Sequence, residues 1–275
     1  MSTVEIHDPP LSHVPYRPAT VGDVLHSDWT KARTVASTRW TLLVAAALGI
    51  GVGALISGLA ADQYAKNTPG SRTLWDPTSI SGGGLALAQL AIGILGVLLM
   101  TSEYSTRSIG ISLAAVPRRS RLLAAKAVVV VVLTLVVAEI ITFIAFFIGQ
   151  AIISGQAPTA SLGQHGVLRA LIGCGLYGCL IALFGLALGA ILRHAAGSIA
   201  VLVAVLYVLP GVFAALPASI EHSVEKYWPT EAGQQVTVVV RTAPTLSPWA
   251  GFGVMFVFTA VVLAGAFSLL NRRDA

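Results

Sequence analysis

EYSTRSIGISLAAVPRRSRLLAAK, residues Glu103–Lys126, is the one strongly basic stretch of a chain otherwise built from long apolar runs. Arg107, Arg118, Arg119, Arg121 and Lys126 share a single connection between two such runs. What that means depends on the surroundings. Only 11% of the 275 residues are charged, against 55% hydrophobic, and mean hydropathy is +0.81. A soluble domain carries about 25% charged residues. A water-soluble particle of this size would need a polar surface that these residues cannot supply, so the chain is a multi-span membrane protein.

Crossing the hydrocarbon core takes about 20 mainly apolar residues in a helix. Six segments qualify: 40–61, 82–100, 127–153, 170–192, 195–216 and 249–270, with Glu139 the only charge inside them. The predicted fold class is therefore all-α, with six transmembrane helices. Six crossings put both termini on one side. Lys and Arg on that side, including the basic block, number twelve, against five in the alternate connections. By the positive-inside rule the termini and the block are expected to be cytoplasmic and the protein to lie in the cell membrane. This explains the net charge of +5 without nucleic acid, for which no basic stripe interleaved with aromatics exists.

Residues 1–19, with Pro9, Pro10, Pro15 and Pro18, read as a flexible cytoplasmic tail and do not resemble a cleaved signal peptide. Over 20–39 the pattern changes. Val21, Val24, Leu25, Trp29, Ala32 and Val35 recur at helical spacing, while Asp28, Lys31 and Arg33 lie on a more polar face. This predicts an amphipathic interfacial helix leading into the six-span domain, 40–275. The alternative is a plain cytoplasmic lead-in.

No catalytic constellation or metal-ligand pattern is visible. A phosphate cradle needs a Gly-Lys pair, and none of Lys31, Lys66, Lys126 or Lys226 follows a glycine. The chain is expected not to hydrolyse ATP. Cys174 and Cys179, five apart in one apolar run, suit neither a CxxC pair nor zinc, and read as small packing residues.

Two stretches carry a resemblance. Ser27–Leu42, SDWTKARTVASTRWTL, and the Glu-Tyr…Leu-Ala-Ala-Val-Pro-Arg-Arg…Ala-Lys pattern of Glu103–Lys126 resemble the ABC-2-type permeases, the membrane subunits of ABC exporters. The resemblance implies a cytoplasmic coupling helix between spans two and three that docks on an ATP-hydrolysing subunit. Glu103 and Tyr104 would open it, and Arg107, Arg118, Arg119 and Arg121 would be its basic contacts. Arg107-Ser108 stands where the family commonly has Gly-Thr. The implied partners are two copies of an ABC ATPase subunit, which would bind the ATP and magnesium, a second or related permease copy, and membrane lipid. Alternatively, the arginines only set topology and bind anionic lipid.

Glu139 lies 13 residues beyond Lys126, about 20 Å along a helix. An intramembrane carboxylate marks a function by default. Gln89 and Tyr177 come out at a comparable depth, so a polar cluster of Glu139, Gln89 and Tyr177 is expected on a translocation path. A glutamate that merely joins two helices is the alternative. Gly49/Gly53 and Gly185/Gly189 allow close helix contact, and Pro210 is expected to kink or end span five. The apolar spans favour a hydrophobic or amphipathic substrate: a drug, lipid or peptide. Two rivals remain at this stage, a proton-coupled secondary transporter using Glu139 and a non-transporting membrane scaffold or sensor component.

Overall fold

The computed structural model describes residues 22, 29–30, 34–105, 119–241 and 245–272. Among them all regular structure is helical, with no strand. Six helices are long and apolar enough to cross a membrane: α1 (Ala36–Tyr64), α2 (Pro77–Ser102), α3 (Leu122–Ile153), α4 (Val167–Leu192), α5 (Ala195–Phe213) and α8 (Pro248–Leu270). Two shorter helices, α6 (Ala218–Tyr227) and α7 (Pro229–Gln234), lie between α5 and α8. The bundle thus has a termini end, where α1 begins and α8 finishes, and an opposite loop end.

The helix of α4 is the axis of the bundle. In its most apolar window 83% of residues are buried, against 28% or less in α1, α3, α5 and α8. Composition explains the choice. α4 carries glycines at 173, 175, 178, 185 and 189, and small residues let helix backbones approach when lipid gives no hydrophobic drive to associate. A Cβ at Gly185 would collide with the carbonyl of Gly93, and one at Gly96 with that of Ala182, so α2 and α4 meet backbone to backbone. On α1, Gly49 leaves room for the Ile141 side chain of α3 and Gly53 for the Ser81 carbonyl. Both glycine pairs are used within the chain. α3 shows the opposite pattern: Val128, Val132, Val136, Ile140, Ile144 and Ile148 are exposed, an apolar stripe at four-residue spacing on the outside of the bundle.

Several boundaries differ from the sequence reading. Among the described residues the helix carrying α3 already includes Arg119 and Arg121, and Lys126 is buried at 5% exposure. α2 starts at Pro77, where Asp76 caps the helix by accepting from the amides of Thr78 and Ser79. α5 ends at Phe213. Its Ala204–Val208 stretch is a π-helical turn just before Pro210. In that register the Val205 carbonyl would pair with the amide of Pro210, which has none. The Trp228 indole donates to it instead, at 3.1 Å. Of the expected interfacial helix, Trp29 is helical, and it packs on the small cluster of Leu95, Val129 and Leu133 between α2 and α3. The tail 1–19, Lys31 and Arg33 lie outside the described residues.

Candidate functional site

At the termini end, Glu103 and Tyr104 lie on the helix that continues α2 and is described as far as Ser105. Arg107 and Arg118, with the rest of 106–118 where a coupling helix is expected, lie outside the described residues. Tyr104 is partly buried against the main core. The Arg193 guanidinium stands over its ring, 5.5 Å from the centroid, a cation–π arrangement. Arg193 is held there by the α4–α5 turn. It takes a left-handed conformation, φ 55°, at the C-terminus of α4, and the next residue, His194, caps α5 through its side chain. The end of α2 is thereby tied to the α4–α5 connection. Sequence reading counted Arg193 only as a cytoplasmic charge.

Within the bundle, the three residues expected at one depth do not form one cluster. Tyr177 of α4 is fully buried, and its hydroxyl donates to Oε1 of Gln89 on α2 at 2.7 Å. The Gln89 amide nitrogen donates to the Ala86 carbonyl, which also accepts from the Tyr207 hydroxyl of α5 at 2.6 Å. A fourth group comes from outside the spans: Gln234 at the end of α7 donates to the Tyr177 oxygen at 3.5 Å. Glu139 stands apart. Its carboxylate lies against Gly175, where a Cβ would collide with it, and its Oε2 is buried with no hydrogen-bond partner. Positions 175 and 177 point about 200° apart around a helix, so Glu139 and the Tyr177–Gln89 pair occupy different faces of α4.

The loop end is closed by a device the sequence did not reveal. After α7 the chain runs through a 3-10 turn, Gln235–Thr237, into extended backbone at Val238. This strap lies across the start of α4: Arg169 donates to the carbonyls of Val236 and Val238, each at 2.8 Å. Gly173 leaves room for the Val236 carbonyl, which would stand 2.7 Å from a Cβ there. Asp76 clasps the other side. Its Oδ2 accepts from the amides of Val239 and Val240, both at 2.9 Å, while Oδ1 accepts from those of Thr78 and Ser79. One carboxylate thus caps α2 and holds the strap. Gln150 of α3 donates to the Pro77 carbonyl and the Ser81 hydroxyl, joining α3 to the same corner. On the strap's approach, Glu231 is pushed above the ordinary carboxylate range by burial and by the nearby charge of Glu225.

The described residues contain no group of three or more His, Cys, Asp or Glu able to hold a metal ion, and both cysteines are free and buried. The polar features are instead a membrane-embedded carboxylate, a buried tyrosine–glutamine pair and a clasped strap on a six-helix bundle, the furniture of a transport domain. A family model described as "ABC-2 family transporter protein" matches residues 29–211. The chain belongs to the ABC-2 transporter family. It is thus the membrane permease component of an ABC transporter, and its family works with an ABC ATPase partner. The matched region covers α1 to most of α5 and the whole basic block, and stops before the strap and α8. No curated protein matches the chain.

Proposed function

We propose that the chain is the permease subunit of an ABC exporter, forming the path for a hydrophobic or amphipathic substrate. The observation that carries the reading is the ABC-2 match spanning a basic connection between α2 and α3. Two separate ATPase subunits bind ATP and magnesium beneath two permease copies, or beneath this chain and a related one. Glu103, Tyr104, Arg107, Arg118, Arg119 and Arg121 transmit their movement. Arginine suits such a joint because its planar fork pairs bidentately with carboxylates on the partner. Tyr104 has a second role, since its contact with Arg193 passes movement of the α2 end to the α4–α5 turn. Trp29, Lys31 and Arg33 anchor the lead-in helix at the membrane surface, with Trp29 seated between α2 and α3. Glu139, Gln89 and Tyr177 line polar points on or beside the path. Orientation follows the positive charge, with termini and basic block on the cytoplasmic side.

Gentle-detergent purification of the tagged chain from its own cells tests the coupling. An ATPase subunit should co-purify stoichiometrically, and changing Arg118, Arg119 and Arg121 together to Glu should release it while the permease still elutes as a folded species. Retention of the ATPase by that triple variant would move the docking site elsewhere.

A further inference from the structure

Beneath the strap lies a hollow of about 160 Å³, bounded by α2, α3, α4 and the strap, with Gly82, Thr142, Phe146, Leu171, Cys174 and Val238 on its wall. None of its lining residues is charged. The two charged side chains that clasp the strap are committed: Asp76 accepts four backbone amides and Arg169 donates to two carbonyls. A second, smaller hollow of about 20 Å³ shares Gly82, Leu85, Thr142 and Cys174 with the first, and otherwise has the apolar side chains of Ala88, Ile92, Ala138, Ile141 and Ala145 around it. The combined space is therefore graded. Its strap end is lined by Gln234 and by Thr237, whose hydroxyl donates to the Gln234 carbonyl and can still accept, and its deep end is apolar apart from Thr142 and Cys174.

We propose that this hollow is a binding site within a single permease chain for an uncharged amphipathic molecule, its hydrogen-bonding atom at Gln234 and Thr237 and its apolar end between α2, α3 and α4. Size sets the occupant. An apolar cavity of about 150 Å³ accepts a benzene-sized body, so the site takes a ring or the end of an alkyl chain and excludes an anionic head, whose desolvation no lining residue would offset and which the Glu139 carboxylate against Gly175 would repel. Such a group belongs either to a membrane lipid or to a small solute. The strap is the roof of the site, and the Asp76 and Arg169 contacts hold it shut.

The chain has two cysteines, and one of them, Cys174, is on the wall of the hollow. Full-length protein carrying Cys179→Ser therefore reports on the site through a single thiol. The probe is benzyl methanethiosulfonate, whose sulfenyl sulfur the Cys174 thiolate attacks with loss of methanesulfinate; the control is the charged sulfonatoethyl analogue. The neutral reagent should react at least about ten-fold faster, a preference worth ~1.4 kcal/mol. Gly82→Leu should abolish the advantage, because a Cβ at Gly82 meets nothing within 4 Å and the side chain enters free space. Slowing by added phosphatidylcholine assigns the site to a lipid chain, and slowing by benzyl alcohol alone assigns it to a small solute. Equal rates for the two reagents, failure of the neutral one, full reactivity in a Gly82→Leu chain of unchanged melting temperature, or no slowing by either competitor would each overturn the proposal. The reaction needs neither ATP nor an ATPase subunit, so its failure leaves the permease reading standing.

Discussion

Two glutamates differ in how their surroundings treat charge. Glu139 sits half-buried in α3, with Oε2 unbonded and Gly175 opposite. An uncompensated carboxylate in a low-dielectric site lowers stability, so its persistence points to use. We expect Glu139→Gln to leave the melting temperature of the purified chain level or higher, and to cut hydrophobic-dye efflux by the complex about fivefold or more, ~1 kcal/mol of coupling. Normal efflux would make Glu139 a packing residue. Glu231 lies outside the spans, and burial together with Glu225 raises its folded pKa above the ordinary value of 4.5. The sign follows from linkage: a carboxyl group that holds its proton more tightly when folded adds stability at low pH, and loses it as pH rises through the raised value. Melting temperature should therefore climb as pH falls through the interval just above 4.5, and Glu231→Gln should flatten that slope. An unchanged slope in the variant would place the titrating group elsewhere.

Between elements, the closest approach is that of α2 and α4. A Cβ at Gly96 or Gly185 would run into the facing backbone, and neither helix can yield without moving the core around Ile181 and Leu186. Gly96→Val should cost about 1–3 kcal/mol through overpacking, read as a lower midpoint in detergent unfolding. Gly51→Val makes the control, since nothing stands within 4 Å of a Cβ there. Equal losses in the two would mean that backbone contact between α2 and α4 is not what holds them. The loop end is built differently. There the strap is held by hydrogen bonds from Arg169 and to Asp76, together with Val236, whose side chain is fully buried in the main core. The crossing and the strap share α2 and α4, so movement of those helices from the termini end would reach the strap directly.

At the scale of the molecule, the six spans could be read from sequence because an apolar run of about 20 residues is a local property. The depth argument also brought Tyr177 and Gln89 together, but depth carries no angle around α4, and so Glu139 was grouped with them although Gly175 holds it on another face. The strap was illegible for a different reason. Its contacts run from side chains at 76 and 169 to backbone atoms at 236–240, and a backbone amide leaves no mark on residue type. Only the Asp76-Pro77 pair, a helix cap followed by proline at the first helical position, signalled that α2 begins early. Orientation is the property on which two independent lines converge. Charge counting puts the termini end inside, and a permease driven by an ATPase must present its coupling connection to the compartment that holds ATP. Under the proposed coupling, Glu103–Arg121 and the α4–α5 turn are expected in the cytoplasm and the strap outside. In a chain with Cys174 and Cys179 replaced by serine, a membrane-impermeant maleimide applied to intact cells should label Gly70→Cys, on the exposed turn before α2, and should reach Ala196→Cys, exposed at the start of α5, only after permeabilisation. The reverse pattern would turn the basic block away from ATP, and the coupling reading would fall with the orientation.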